Sequence, residues 1–567
     1  MARNPIPADA AFGATAPARP VVARRRWLQG ALSLGAGGLA AGCGAVRPEP
    51  AASPAAAERP GRPGGPAGAD EVVVAPDGVD PRGVPEWRGD ADPFTLGVAS
   101  GMPRPDGVTL WTRLAPRPSE DGGGLDPLPV RVRWEVLEDD GRPVRQGVAV
   151  AEPGWAHSVR IELRGLQPGH RYRYRFASGE AVSTSGRFRT APLDGDRLRL
   201  VFGSCQQYEQ GYYAAWRHAV ADDPDLVVFL GDYVYESSWG RRHVRQHDAG
   251  VPATLDAYRR RHALYRGDAD LQAAHAACAW VLTWDDHEVD NDYAGDLSQH
   301  GAAPAAFAQR RIAAYRAYFE HMPLPWSMAP RGASMRLHGH VDWGSLVRIH
   351  VLDDRQYRSP QACSAPGHAG SRTVGPECAQ RLDPGRTLLG AEQEAWFERS
   401  VRGSRARWNL VAQQTLIGRS DLRPGPDEGW WTDGWDGYPA ARRRLLEAVR
   451  ASGARNPIAL GGDVHAFYAG ELHEDFDRPA GRPAMLEFVG GSISSQGPSQ
   501  AWVDRRLADN PNLRWGAGGV RGYARMDLER GLARVAMRAL DDPTDRASGC
   551  RTLRTFEVRD GTARLDP

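Results

Sequence analysis

Four short polar segments of the sequence carry the residue types that bind metals. Each begins where an apolar run ends, at residues 203–206, 231–236, 284–288 and 461–465. Together they offer a thiol, phenols, imidazoles and carboxylates, a ligand set suited to hard and borderline metals. Carboxylates crowded this closely would repel one another without cations between them. The sequence therefore predicts a metal site.

Two spacings within these segments indicate how metals would be held. In Asp232-x-x-Tyr235 the carboxylate can bridge two metals, whereas the phenolate, a strong donor to ferric iron, reaches only one. Asp463 and His465 are two residues apart, and alternate side chains of an extended segment share a face. Both can therefore bind one metal cluster.

The elements that must position these ligands are buried strands. Runs that are apolar throughout are typical of strands covered on both faces. They occupy residues 198–202, 226–230, 280–284, 346–352, 410–412 and 458–460. Helix-like segments lie between them at residues 255–262, 271–278 and 305–319. We predict an α/β catalytic domain over residues 196–567, in which loops at strand ends gather into one site.

The region before this domain has a different texture. Residues 92–191 carry short alternating runs bounded by turn residues, which is typical of an all-β sandwich. Residues 165–169, which precede Tyr172 and Tyr174, resemble the corner of a fibronectin type III-like module. We predict an N-terminal all-β fibronectin III-like domain with its own core.

The N-terminus has the features of an export signal. Arg24 and Arg25 precede Arg26-Trp27-Leu28 and a short apolar run at residues 30–41, which resembles a twin-arginine (Tat) signal peptide over residues 1–43. The run ends in Ala-Ala-Gly-Cys43, which is either a lipobox that would make Cys43 a lipid anchor or an ordinary signal with an incidental cysteine. We expect Tat machinery as a partner and a periplasmic, cell-surface or extracellular location. Residues 44–91, rich in Ala, Pro and Gly, are expected to be a disordered linker.

Charge and cysteine content narrow the class of protein further. The 567 residues include 71 basic and 70 acidic ones, a net charge of +1 that gives no long-range field to gather nucleic acid or anionic lipid as the principal partner. Export favours a disulfide between Cys363 and Cys378, which share one loop rich in Gly, Pro and Ser. Cys278 and Cys550 remain unassigned.

The order and wording of the motifs are similar to those of the alkaline phosphatase D (PhoD) family of metallophosphoesterases. The likeness covers about residues 92–530 and is carried by the segments Phe94-Thr-Leu-Gly-Val-Ala-Ser-Gly101, Phe202-Gly-Ser-Cys-Gln206, Leu230-Gly-Asp-Tyr-Val-Tyr-Glu236, Thr283-Trp-Asp-Asp-His-Glu-Val-Asp-Asn291, Asp354-Arg-Gln-Tyr-Arg358 and Gly461-Gly-Asp-Val-His-Ala466. The resemblance implies an αββα-type metallophosphoesterase sandwich with ferric iron (Fe³⁺) and calcium (Ca²⁺). It also implies hydrolysis of small phosphomonoesters and phosphodiesters at alkaline pH by a metal-activated hydroxide.

By motif position, the resemblance implies iron or bridging ligands at Cys205, Asp232, Tyr235, Asp463 and His465. Asp286 stands where metallophosphoesterases place an Asn that binds the second metal, and this added negative charge suits calcium. Gln413 stands where those enzymes carry a further ligand His.

Other residues leave two interpretations open. Arg355 could fork onto phosphate oxygens or pair with Asp353 or Asp354. His287 could stabilise the leaving oxygen or phosphate, or hydrogen-bond a carboxylate ligand. An acidic run could bind calcium or be a solvated loop; it consists of Asp285, Asp290, Asn291 and Asp292. An aromatic stretch could rim the substrate cleft or pack on the core; it consists of Trp430, Trp431, Trp435 and Tyr438.

Three functions fit these observations. The first is an exported phosphoesterase of the alkaline phosphatase D type. The second keeps the fold but acts, like a phospholipase D, on a phosphodiester such as a lipid head group or a teichoic-acid backbone. The third is a cell-surface binding protein with a structural metal site, although structural sites usually saturate their metal with protein ligands.

Overall fold

The computed structural model describes residues 79–423, 425–479 and 481–565. The predicted signal peptide, the possible lipid anchor at Cys43 and most of the predicted linker lie outside these residues. Residues 79–91, which were predicted to belong to the disordered linker, are described: Glu86 pairs with Arg131 in an isolated β-bridge, and their side chains form an ion pair at 3.0 Å. The linker prediction was therefore wrong for the end of that segment.

The described residues form the following strands: β1 (Val98–Arg104), β2 (Gly107–Arg113), β3 (Val130–Leu137), β4 (Pro143–Ala151), β5 (Ser158–Glu162), β6 (Arg171–Ser178), β7 (Ala181–Val182), β8 (Gly186–Arg189), β9 (Arg197–Gly203), β10 (Leu226–Leu230), β11 (Ala279–Thr283), β12 (Gly339–Trp343), β13 (Val347–Val351), β14 (Thr373–Val374), β15 (Trp408–Ala412), β16 (Trp430–Trp431), β17 (Pro457–Gly461), β18 (Phe467–Leu472), β19 (Met485–Gly490), β20 (Leu513–Ala517), β21 (Gly522–Glu529), β22 (Leu532–Leu540) and β23 (Cys550–Arg559). The α-helices are α1 (Ala214–Ala221), α2 (Leu255–Arg266), α3 (Ala269–Ala277), α4 (Pro304–His321), α5 (Ala391–Arg402), α6 (Pro439–Ser452) and α7 (Gln500–Asp509). Within the described part of the chain, none of these helices combines the length and apolar character that a membrane span requires.

Two large sheets organise these elements. One has nine strands in the order β23-β22-β21-β9-β10-β11-β1-β2-β5, and the other has seven in the order β12-β13-β15-β17-β19-β18-β20. In the middle of each sheet, neighbouring strands run parallel, as β9-β10-β11 and β13-β15-β17-β19 do. Their carboxyl ends therefore meet at one edge of each sheet.

Alternation along the strands produces a layered core. Leu200 and Phe202 of β9 belong to a buried cluster that also contains residues of the second sheet, such as Leu410. Val201, between them, belongs to a different cluster with residues of the helices, such as Trp216 of α1. Successive strand side chains point to opposite faces, so each sheet packs on the other sheet with one face and on helices with its other face. The predicted α/β class is confirmed.

The N-terminal β region, which the sequence predicted to be a separate fibronectin III-like sandwich, contributes strands to two sheets. Strands β1, β2 and β5 extend the nine-stranded sheet, and β1 pairs in parallel with β11 at Ser100 and Ala279. Only β3, β4, β6, β7 and β8 form a sheet of their own. Side chains of both regions, including Trp134 and Leu198, belong to one buried cluster. The expectation of a separate core was therefore wrong, because the N-terminal strands complete the edge of the larger sheet.

Candidate metal centre

Four strand ends deliver the predicted ligands to one place. Cys205 follows β9, Asp232 follows β10, Asp286 follows β11, and the segment from Asp463 to His465 follows β17 of the other sheet. Strands β9, β10 and β11 are adjacent and parallel, so their loops emerge side by side. The two packed sheets bring the loop after β17 against them.

The first cluster combines a thiol, a carboxylate and an imidazole. Ligand atoms of Cys205, Asp232 and His465 all lie within 4.8 Å of one another, and all three residues are buried. The Tyr235 hydroxyl donates to Oδ2 of Asp232 at 2.7 Å and lies 3.3 Å from Nε2 of His465. Nδ1 of His465 lies 2.8 Å from the Gln496 carbonyl, which directs Nε2 towards the cluster. The structure thus brings together four of the predicted ligands.

The backbone at these ligands is held in an uncommon conformation. Cys205, Asp232, Asp463 and His465 have φ angles of 59°, 56°, 61° and 51°. A non-glycine residue in this left-handed region costs roughly 1–2 kcal/mol. Such conformations persist only where surrounding structure fixes them, and they concentrate at functional sites. The strain is a second sign, besides residue type, that these loops serve ligand binding.

Glu288 is the buried residue that fixes two of these loops. Its carboxylate accepts hydrogen bonds from the backbone N–H groups of Asp232 at 3.1 Å, Tyr233 at 2.6 Å and Asp285 at 2.9 Å. Gly231 permits this approach, because a Cβ there would lie 2.5 Å from Cβ of Asp285. The sequence analysis missed this role, since nothing local distinguishes Glu288 from its acidic neighbours.

A second cluster shares Asp232 with the first. It consists of Asp232, Asp286 and His287, whose ligand atoms lie within 4.8 Å of one another. Nδ1 of His287 lies 2.6 Å from Oε2 of the buried Glu236. Burial lowers the pKa of His287, but the charges of Glu236 and the two aspartates outweigh it and raise that pKa well above its usual value. The partner of Nδ1 is thus Glu236, which is not one of the predicted ligands.

A third cluster adds Asp292 and Asp433 to Asp286, with all three residues buried. Asp292 lies in the acidic run left undecided above. The sequence analysis missed Asp433, which follows β16 and belongs to no motif; its position within the aromatic stretch was the only available signal. In that stretch, Trp435 is fully buried and its indole N–H donates to Gln413 at 3.1 Å, so it packs on the core.

The predicted disulfide between Cys363 and Cys378 is confirmed. The loop it closes contributes to the third cluster, because the backbone N–H of Ser371 donates to Oδ2 of Asp292 at 2.9 Å. Gln361, just before the loop, donates to Oδ1 of Asp433 at 2.8 Å. Cys278 is buried and Cys550 partly buried, both as free thiols.

Arg355 lies among the carboxylates of the clusters. Its guanidinium forms ion pairs with Asp285 and with Asp433, the latter at 2.5 Å. Its Nη2 lies 3.7 Å from Asp286 and 3.6 Å from Asp463. The pairing with Asp353 or Asp354 considered above is not found, because the side chain points towards the strand ends. With 2% of its side chain exposed, the guanidinium is enclosed by carboxylates.

Gln413 does not take the place of a ligand. Its amide oxygen accepts from the Thr415 backbone N–H at 3.1 Å and from Trp435, and its amide nitrogen donates to the Thr415 carbonyl. The side chain therefore fixes the turn after β15. In contrast, Thr415 donates through its hydroxyl to Oδ2 of Asp463 at 2.8 Å.

The electrostatics of the clusters call for cations. Burial raises the pKa of Asp232 well above its usual value, and it raises the pKa of Asp463 to about 6. Burial, followed by the charge of Asp232, likewise raises the pKa of the Cys205 thiol. Oδ1 of Asp232 is buried and has no hydrogen-bond partner among the described residues. Buried carboxylates without partners are costly unless they bind a metal, so the donor set fits metal ions.

Comparison with known proteins agrees with this geometry. Residues 200–537 match the PhoD-like phosphatase family, and residues 80–192 match the N-terminal domain of PhoD-like phosphatases. The chain is 42% identical over 479 residues to alkaline phosphatase D of Bacillus subtilis (strain 168), a match that covers 82% of this chain and 80% of that protein. A solved structure of PhoD is similar with a TM-score of 0.80 and 40% identity, covering 85% of this chain and 93% of that one.

A more distant structure shares the fold alone. Purple acid phosphatase PPD1 from yellow lupin (Lupinus luteus) seeds is 12% identical, with a TM-score of 0.52 over 82% of this chain and 73% of that one. The N-terminal match corresponds to the β region, and the longer match contains all three ligand clusters. The chain therefore belongs to the PhoD-like phosphatase family and is a metal-dependent phosphoesterase.

Proposed function

We propose that this chain is an exported phosphatase that uses ferric iron and calcium to hydrolyse phosphomonoesters and phosphodiesters at alkaline pH. The observation that carries the proposal is the sharing of carboxylates between three clusters: Asp232 belongs to the first and second, and Asp286 belongs to the second and third. Bridging carboxylates hold metals close enough to act on one phosphate.

The first cluster fits iron. Cys205 and Tyr235 supply thiolate and phenolate donors, and His465 supplies an imidazole, which together favour a transition metal over calcium. Cys205 is fully buried, so a metal there would be shielded from water on that side. We assign Fe³⁺ to Cys205, Asp232, Tyr235 and His465, with Asp463 beside them.

The third cluster fits calcium. Asp286, Asp292 and Asp433 offer only oxygen donors, which calcium prefers. Oδ2 of Asp286 is oriented by the backbone N–H of Asp292 at 2.6 Å. We assign Ca²⁺ to this set and to the second cluster, in which Asp286 and Asp232 would share it.

The remaining residues orient groups and move protons. When bound, the metals supply Lewis-acid activation of water and of the phosphate oxygens. Glu236 fixes the ring of His287 through Nδ1, so protonated His287 can donate from Nε2 to the leaving oxygen. Arg355 is enclosed by carboxylates, so we assign it to positioning Asp286 and Asp463 instead of the phosphate fork that was one of its two interpretations.

Metal analysis and turnover on one purified sample test the proposal. We expect iron and calcium to co-purify with hydrolysis of a chromogenic monoester and a diester at alkaline pH. Tyr235→Phe should bleach a visible iron-phenolate absorption, whereas Tyr212→Phe, at a half-buried tyrosine in another loop, should leave it intact. Active enzyme without iron, or colour that survives Tyr235→Phe, would contradict the assignment of iron.

Export by the Tat pathway is the part of the proposal that rests on residues 24–28. Replacing Arg24, Arg25 and Arg26 with glutamine should retain folded precursor in the cytoplasm, which fractionation followed by immunoblotting would detect. Labelling with a radioactive fatty acid, with Cys43→Ser as the control, tests the lipid anchor. Continued export of the triple variant would indicate the general secretion route instead.

A further inference from the structure

A basic loop lies beside the metal centre and has no role in the chemistry described so far. It spans residues 237–243 and begins two residues after Tyr235, which contacts the first cluster. Arg241 and Arg242 are both exposed at its tip. Among the described residues, neither arginine forms an ion pair within 4.0 Å, although most arginines of the chain do. Two cations without acidic partners therefore stand next to an anion-processing site.

Trp239 places this loop at the centre and not elsewhere on the surface. Its ring stacks on the imidazole of His465, with centroids 5.5 Å apart and planes at 8°. Its centroid also lies 6.2 Å from that of Tyr235. Asp463, two residues before His465, has 22% of its side chain exposed, which makes this side of the centre accessible to solvent.

Two glutamines hold the loop in a fixed position. Gln210 donates to the Trp239 carbonyl at 2.7 Å, and Gln496 accepts from the Arg241 backbone N–H at 3.1 Å. The backbone carbonyl of Gln496 also lies 2.8 Å from Nδ1 of His465, so one residue connects the loop to a candidate metal ligand. Gly240 is required for this close approach, because a Cβ there would lie 2.6 Å from the amide nitrogen of Gln210. The loop is thus built to a defined geometry relative to the metals.

Arg245, the next arginine along the chain, has a structural role. Arg245 pairs with Asp268 at 2.6 Å and stacks over the ring of Tyr208 at 3.8 Å. Its charge and its contacts are satisfied within the protein. Arg241 and Arg242 have no such partners among the described residues, so their charges remain available to a ligand.

We propose that Arg241 and Arg242 bind a second phosphate carried on the leaving group of the substrate, so that the enzyme prefers esters with two phosphate groups. This inference rests on the proposed function, since the first phosphate must occupy the metal centre. The leaving group would extend past Trp239 to the two guanidiniums, which bind phosphate oxygens as planar forks. Because the arginines are exposed, their effect weakens as salt rises.

A matched pair of substrates isolates the second phosphate. Propane-1,3-diol monophosphate and propane-1,3-diol bisphosphate differ only in that group, and release of inorganic phosphate gives kcat/KM for each with the metal-loaded, full-length enzyme. We expect wild type to prefer the bisphosphate and R241A/R242A to lose about tenfold of that preference. The double variant R88A/R331A removes two exposed arginines in other segments and should keep the wild-type ratio.

Gly240→Ala provides a second variant that keeps both charges but displaces the loop, and it should also lower the bisphosphate preference. A short oligomer of propanediol joined by phosphodiester bonds, assayed with the same variants, decides whether a small bisphosphate or a phosphodiester chain supplies the second phosphate. A substrate ratio that is equal in wild type and R241A/R242A would overturn the inference. If metal-loaded wild type hydrolyses neither propanediol ester nor 4-nitrophenyl phosphate, the proposed function itself fails.

Discussion

The disulfide should stabilise both the fold and the third cluster, and Cys363→Ser/Cys378→Ser separates these effects. The bond joins residues 15 apart in sequence, and closing a loop of that length contributes about 3 kcal/mol to the free energy of unfolding. Unfolding entropy is about 2.1 cal/mol/K per residue, or ~1 kcal/mol/K for a cooperative unit of this size. The double variant should therefore melt about 3 °C lower.

The same change should weaken calcium binding. Without the cross-link, the loop that carries Ser371 is free to move away from Asp292, and the hydrogen bond of 2.9 Å between them is lost. Loss of a residue that orients a metal ligand typically costs 10–100-fold in affinity, so we expect about tenfold weaker calcium binding.

Differential scanning calorimetry and calcium titration of chelator-treated protein measure the two effects separately. Cys550→Ser, at a partly buried free thiol, controls for removal of a sulfur atom, and Ser371→Ala should weaken calcium binding with little change in melting temperature. If the double variant melts lower but binds calcium as wild type does, the disulfide stabilises only the fold, and the proposed link between the disulfide and the metal site is wrong.

Three further predictions concern buried polar groups. Burial raises the pKa of Glu487 from 4.5 to about 7, so the folded state retains a proton that the unfolded state releases; stability should fall by about 3 kcal/mol as pH rises through this window. Glu487→Gln should remove this part of the pH dependence of the free energy of unfolding, measured by urea unfolding between pH 5 and pH 8. An unchanged pH dependence would refute the role of Glu487. Glu288→Gln places an amide N–H group opposite backbone N–H donors, so it should lower the free energy of unfolding by ~2 kcal/mol. If urea unfolding gives the wild-type free energy, Glu288 does not hold the loops. His287→Asn should reduce kcat on alkyl phosphates by about 10²-fold and less on 4-nitrophenyl phosphate, whereas equal losses on both would argue against proton donation.

Local pattern predicts the elements well where burial is uniform. The run predicted at residues 226–230 is β10 with the same bounds, because a strand covered on both faces must be apolar throughout. The candidate ligands after such strands, Asp232 and Asp463 among them, were identified from the same pattern. Parallel strands end at one edge, so polar residues that follow several of them gather in one place.

Long-range pairing explains what the sequence did not predict. Strand β1 has the pattern of a sandwich strand, and nothing within it indicates that it pairs with β11. Asp433 reaches the third cluster from a loop of its own, so no motif marks it. Arg355 pairs with Asp285, 70 residues away, whereas the only protein partners considered from the sequence were the aspartates beside it.

Metal content and turnover of an Asp232 variant test whether this carboxylate is shared between metals. Asp232→Asn and the exposed control Asp504→Asn are assayed for iron and calcium content by mass spectrometry and for hydrolysis of a chromogenic monoester and diester. Because Asp232 belongs to two clusters, its variant should lose metal from both and abolish turnover, while the control resembles wild type. Turnover of Asp232→Asn at the wild-type rate with its metals retained would contradict the account.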